Sequence, residues 1–116
     1  MAVTAFASGT QLAVIGTEHF LANINVAATF VFEITVPVAF LDGDVVELRI
    51  YKKTLATSGA VVAYFVVVYG NQSVEDVVKV SLPFSIFHTD AQAGRVSLLQ
   101  RFGTGRSFDW AVLQHL

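Results

Sequence analysis

The 116-residue chain has no cysteine, and only 14% of its residues are charged. Without cysteine there can be no disulfide framework and no thiolate metal site, so the fold must be held by packing. Ordinary soluble domains are about a quarter charged, so this surface has few charges to spread over it. Basic residues are outnumbered, seven Lys and Arg against nine Asp and Glu, for a formal net charge of −2. That balance offers no cationic field for nucleic acid. Prolines are also few, two in the whole chain. The longest strongly apolar stretch, Ala60 to Tyr69, is half the roughly 20 residues that a membrane helix needs, and Met1 to Gly9 lacks the pattern of a secretory leader. The expectation is therefore a protein made in soluble form in the cytoplasm, with neither nucleic acid nor membrane as its partner.

What the chain does have is apolar side chains, 54% of the total, arranged mostly at period two. Thr29 to Val36 puts Phe30, Phe32, Ile34 and Val36 on one face and Val31, Glu33 and Thr35 on the other, the pattern of a half-buried strand that Pro37 closes. Leu41-Asp-Gly-Asp44 reads as a turn with Gly43 at positive φ. From Asp44 to Lys53, Val46, Leu48 and Ile50 point inward, and Glu47, Arg49 and Tyr51 outward. The uncharged run 60–69, rich in β-branched and aromatic residues, reads as a strand buried on both faces, central in its sheet and paired as a hairpin with 44–54.

Further strands are expected at 77–82, with a short bent continuation at 84–87, at 95–102 with Val96, Leu98 and Phe102 on one face and Arg95, Ser97 and Arg101 on the other, and at 108–115 with Phe108, Trp110 and Val112 together. Weaker patterns cover 11–17 and 20–26, and a single helical turn fits around Val74-Glu75-Asp76. Seven or eight strands without intervening helices predict an all-β antiparallel two-sheet sandwich, with the jelly roll among the topologies that share this pattern. The chain reads as one domain, 1–116, with residues 1–10 as an extended N-terminal arm.

Candidates for chemistry are thin. His19, His88 and His115 lie far apart, without the short-range pair that a zinc site favours. No Gly-x-Ser-x-Gly elbow mounts a nucleophile. The acidic pairs Asp42/Asp44 and Glu75/Asp76 fit turns better than calcium or glycosidase chemistry. Gly103-Thr-Gly-Arg-Ser107 resembles a phosphate cradle, but a strand follows it where a helix should, which favours a hairpin loop with a solvated arginine. The reading is of a non-enzyme without cofactor or metal. Aromatic residues and arginine anchor interfaces, and Tyr51, Arg106 and Trp110 are the candidate interface residues. Trp110 and the tyrosines offer a carbohydrate platform as an alternative.

Three segments, Gly16-Thr-Glu-His19, Leu41 to Lys52 and Gly103 to Trp110, look like those of small virion proteins of tailed bacteriophages. The resemblance spans most of the chain and carries no catalytic signature. It implies a small β-sandwich or jelly roll acting as a capsid cement or decoration protein on the assembled phage head. Such a protein would be a homo-oligomer, trimer ahead of dimer, with the major capsid protein as partner. Tail and head-tail connector proteins of this size use similar sandwiches, and that reading stays open.

Overall fold

The computed structural model describes residues 3–37, 43–53, 55, 57, 59, 61–69, 77–89 and 93–115. Among these, nine strands form two sheets that pack face to face as an antiparallel sandwich. They are β1 (Val3–Leu12), β2 (Glu18–Ile24), β3 (Ala28–Val36), β4 (Val45–Lys52), β5 (Val61–Tyr69), β6 (Val77–Val80), β7 (Phe84–Ile86), β8 (Gly94–Phe102) and β9 (Ser107–His115). One sheet runs β1-β9-β3-β6, with β7 also on β3, and the other runs β2-β8-β4-β5.

Pairing β1 with β9, β2 with β8, β3 with β6 and β7, and β4 with β5 is what results when one long hairpin is rolled up. This is the jelly-roll order of two Greek keys. β6 and β7 share one position. Pro83 cannot donate to a ladder and separates them, and Ser81 bridges the gap: its N–H donates to the Phe32 carbonyl at 2.8 Å and its Oγ accepts from the Phe32 N–H at 3.0 Å.

The core lies where the two inner faces meet. Phe30, Phe32, Ile34 and Val36 are buried, as the alternation of β3 predicts, and so are Val46, Leu48 and Ile50 of β4. Phe30 is the aromatic centre, edge-on to Phe6 at 5.4 Å and stacked with Phe84 at 5.9 Å. Burial of a large apolar side chain stabilises by roughly 1.5–3 kcal/mol, so these rows, each facing its counterpart in the other sheet, supply most of the cohesion. Trp110 lies opposite Ile34 in the register and packs partly buried against this core. A side chain on its β1 neighbour Gly9 would come within 3.3 Å of the indole.

Several expectations need correction. Residues 3–12 are not a free arm: β1 is paired along its length with β9 of the same chain, because even small alternating side chains suffice on an edge strand. Residues 13–17 form the corner between β1 and β2 rather than a strand. The run 60–69 is not central, since β5 ends its sheet, and Val61, Val62 and Phe65 are exposed. Gln100 continues the inward alternation of Val96 and Leu98, and a bulge beyond it, opposite Val45/Val46, then turns Phe102 out to an exposed position. The helical turn expected around Val74-Glu75-Asp76 and the acids Asp42, Glu75 and Asp76 lie outside the described residues.

β8 leaves one sheet and β9 enters the other through a corner at 103–106. Asp44, 3% exposed, holds it: its Oδ1 accepts from the Thr104 N–H at 3.0 Å, and its Oδ2 from Arg106 Nε at 3.0 Å. Buried Gln100 donates to the Phe102 and Thr104 carbonyls and accepts from the Arg106 N–H. Gly103 has φ +96°, and a side chain there would run into the Asp44 carboxylate. Gly43 has a similar φ of +95° with open space around it. Gly43→Ala should therefore show backbone strain alone, about 1–2 kcal/mol. Gly103→Ala adds the clash and should lose about 3 kcal/mol or more. Urea unfolding of the two variants checks this, and equal losses would contradict the account of the corner.

Candidate functional site

A connected set of charged and polar side chains covers the outer face of the β2-β8-β4-β5 sheet. Alternation along β4 aims Glu47, Arg49 and Tyr51 outward, and β8 does the same with Arg95, Ser97 and Arg101. The register then sets them in rows: Glu18, Leu99 and Glu47 across one, Phe20, Ser97 and Arg49 across the next, and Arg95 beside Tyr51. β5 adds Phe65 beside Arg49 and Val62 beside Tyr51.

Within these rows the charges are locked together. Glu18 Oε2 accepts from Tyr51 Oη at 2.6 Å and Ser97 Oγ at 2.5 Å, and its Oε1 faces Arg49 Nη1 at 3.4 Å. Glu47 Oε1 takes Arg49 Nε at 3.2 Å and Nη2 at 3.1 Å, while its Oε2 takes Nε of Arg101. Arg49 thus joins two carboxylates on different strands. The Glu47 side chain is only 6% exposed and that of Arg49 21%, so removing one partner leaves a poorly solvated charge and costs more than a surface pair would. Arg95 is held differently. Its guanidinium lies 4.4 Å from the Phe20 ring centre and 5.0 Å from that of Tyr51, while its Nε is buried with no partner among the described residues. Cation–π contacts of this kind are worth about 0.5–2 kcal/mol.

Burial of Glu18 by itself would raise its pKa, but the hydrogen bonds from Ser97 and Tyr51 and the charges of Arg49 and Arg95 outweigh it and hold the carboxyl below its ordinary value of 4.5.

The three interface candidates fall in different places. Tyr51 belongs to this polar face. Arg106 sits in the corner, and its guanidinium is paired with Asp44 rather than solvated. The cradle-like loop is spent on the fold too, with the Thr104 and Arg106 amides bonded to Asp44 and Gln100. Trp110 points into the sandwich. Among the histidines, His19 accepts the Val14 N–H at Nε2 (3.1 Å) and so steadies the β1–β2 corner, and His88 stands edge-on to the Phe87 ring at 5.3 Å. No three His, Asp or Glu side chains come together among the described residues.

The chain matches no protein-family model, no curated protein and no solved structure. Its function has to be read from the geometry. The polar face ends in a shallow cleft of about 400 Å³ lined by Glu47, Arg49, Val62, Phe65 and Arg101. A smaller hollow of about 120 Å³ lies between β3 and β9, lined by Glu33, Ile34, Thr35, Asp109, Trp110 and Ala111. Fixed guanidinium donors beside aromatic rings are equipment for recognition by contact. Outward alternation gave the β4 and β8 members of the face. Glu18 and Phe65 were missed, the first because nothing local couples it to β4 and β8, the second because its strand looked buried on both sides.

A carboxyl whose pKa is depressed by folding stabilises the fold above its unfolded pKa, and that contribution disappears as pH falls through the lower, folded value. Acid should therefore weaken the wild type below about pH 4.5 partly through Glu18. Glu18→Gln, which cannot ionise, should be less stable at pH 7 and lose less between pH 5 and pH 2. Thermal unfolding across that range measures the difference, and parallel pH curves for the two proteins would refute the role given to Glu18.

Proposed function

We propose that this protein is a structural component of a tailed-phage virion, a cement or decoration protein that binds the assembled head beside the major capsid protein and performs no catalysis. The observation that carries the reading is the set of exposed apolar residues on and beside the strands that end the two sheets, β5 and β6. Val78 and Val80 of β6 are 55% and 58% exposed on one outer face, Phe65 of β5 is 57% exposed on the opposite outer face, and Phe87 beyond β7 is 82% exposed. Isolated exposed apolar residues are normal, but a group of this kind on a chain so short of charge is the usual sign of a contact surface.

Edges add to this. A free strand edge invites pairing with another chain, and proteins usually blunt it. β1 and β2 carry register shifts, and β6 is four residues long with Lys79 opposite Ile34, on the core side. β5 has one shift near its start, at the Ile50/Tyr51 pairing, and then runs from Tyr64 to Tyr69 with neither charge nor proline. Such an edge suits repeated contacts in a lattice, where many weak attachments add up. Jelly rolls serve as capsid and lectin domains alike, so the architecture permits this role without requiring it. The resemblance of the 16–19, 41–52 and 103–110 segments to small phage virion proteins supports a virion role, with the tail and head-tail connector as the alternative positions.

Proteomics of purified virions of the encoding phage should find the chain in many copies, with cryo-electron microscopy placing it on the head. Virions free of it would overturn the reading, and density confined to the tail would move it to the connector or tail alternative. The double substitution Val78→Lys with Val80→Lys, both at exposed positions, should leave the thermal midpoint nearly unchanged. It should weaken co-sedimentation with purified heads by about tenfold or more, the loss expected when contact anchors are charged.

A further inference from the structure

The cleft between β4, β5 and β8 combines three properties that a purely structural face does not need. The outer face of this sheet holds Arg49, Arg95 and Arg101 against Glu18 and Glu47, a local excess of positive charge on a chain whose net charge is −2. Arg101 is tied to Glu47 only through Nε, and its side chain is 48% exposed, so its two Nη groups are unengaged among the described residues. Beside them stand the exposed Phe65 ring and the partly exposed Val62, an apolar wall against two fixed guanidiniums and a carboxylate.

These features select a ligand. An extended peptide is bound through its backbone at a free strand edge. Over the face of the sheet the backbone groups of β4 and β8, and those of β5 towards β4, are already used in ladders, so only side chains can recognise what lies on that face. A bare anion would leave Phe65 and Val62 without a partner. A six-membered sugar ring has an apolar face to lie on Phe65 and hydroxyls that accept from Arg49, which Glu47 holds in place, and a carboxylate on it would take the Nη groups of Arg101 as a charge-assisted pair. At about 400 Å³ the cleft lies in the usual range for small-molecule sites. We propose that the outer face of the β2-β8-β4-β5 sheet is a binding site for an acidic saccharide, a pyranose carrying a carboxylate, centred on Phe65, Arg49, Glu47 and Arg101. The proposal stands whether or not the protein attaches to a virion, although β5 serves both surfaces, and its test uses the soluble protein alone.

The test is a titration of the full chain, labelled with ¹⁵N, with glucuronate, and in parallel with glucose, acetate and inorganic phosphate. Saturable shifts should appear at the amides of residues 47, 49, 65 and 101 with millimolar glucuronate, the weak range usual for one small ring, while the other three compounds bind at least about tenfold more weakly. Arg101→Ala and Phe65→Ala, at half-exposed positions where a native spectrum is expected, should each weaken glucuronate binding about tenfold or more. Lys79→Ala, on the other sheet, should leave it unchanged. If glucuronate causes no saturable shift, if glucose or acetate binds equally well, or if Arg101→Ala binds as the wild type does, the proposal fails. If either variant loses its native spectrum, the comparison of glucuronate with glucose and acetate on the wild type decides by itself.

Discussion

A jelly roll requires its strands to pass from one sheet to the other at corners, and each corner exposes backbone groups that no ladder satisfies. Here the β8–β9 corner meets that need with buried side chains. Asp44 and Gln100, both buried, supply the missing acceptors and donors to residues 102–106. The β1–β2 corner docks onto the same place, with the Ala13 N–H donating to the Arg106 carbonyl at 2.9 Å and the Gly16 N–H to the Gln100 carbonyl at 2.9 Å. Since β1 pairs with β9 and β2 with β8, the two corners have to turn together, and this network couples them. Buried polar networks stabilise only when every member is satisfied, and a side chain at Gly103 would displace the Asp44 carboxylate at its centre.

With the crossings fixed, the inner faces fill with phenylalanine and branched aliphatics, and the scarcity of charge becomes uneven. Three of the seven basic residues and two of the nine acidic ones lie on the outer face of one sheet. Packed against one another across strands, they are worth more than scattered surface pairs, which contribute little. The outer face of this sheet is thus suited to polar recognition, while the edge strands β5 and β6 carry exposed apolar side chains on the two outer faces.

How far the sequence shows this depends on the distance over which each feature is decided. The faces of β3 and β4, the hairpin of β4 with β5, the break at Pro83 and the positive φ at Gly43 are local, and period two or turn chemistry reveals them. The pairing of β1 with β9 joins opposite ends of the chain, and small alternating residues such as Ala5, Ala7 and Ser8 gave it no apolar stripe to announce itself. A continuous apolar strand looks the same whether it lies at the centre or the edge of a sheet, so Val61 to Tyr69 was misplaced and Phe65 overlooked. Arg106 could not be recognised as a corner residue, because its partner Asp44 is 62 residues earlier in the chain.

β5 is where the two surfaces meet. Its paired edge lies along β4, where Phe65 stands beside Arg49 and forms one wall of the cleft, and no other described strand pairs with its second edge. A strand added to that free edge would extend the sheet past Phe65, raise a second wall and exclude water from the guanidiniums of Arg49 and Arg101. Electrostatic attraction grows as the local dielectric falls, so an assembled copy would hold an anionic ring more tightly than an isolated one. By the reciprocity of linked equilibria, an occupied cleft would in turn favour the added strand. Assembly and recognition, if both use β5, are therefore coupled through it in both directions.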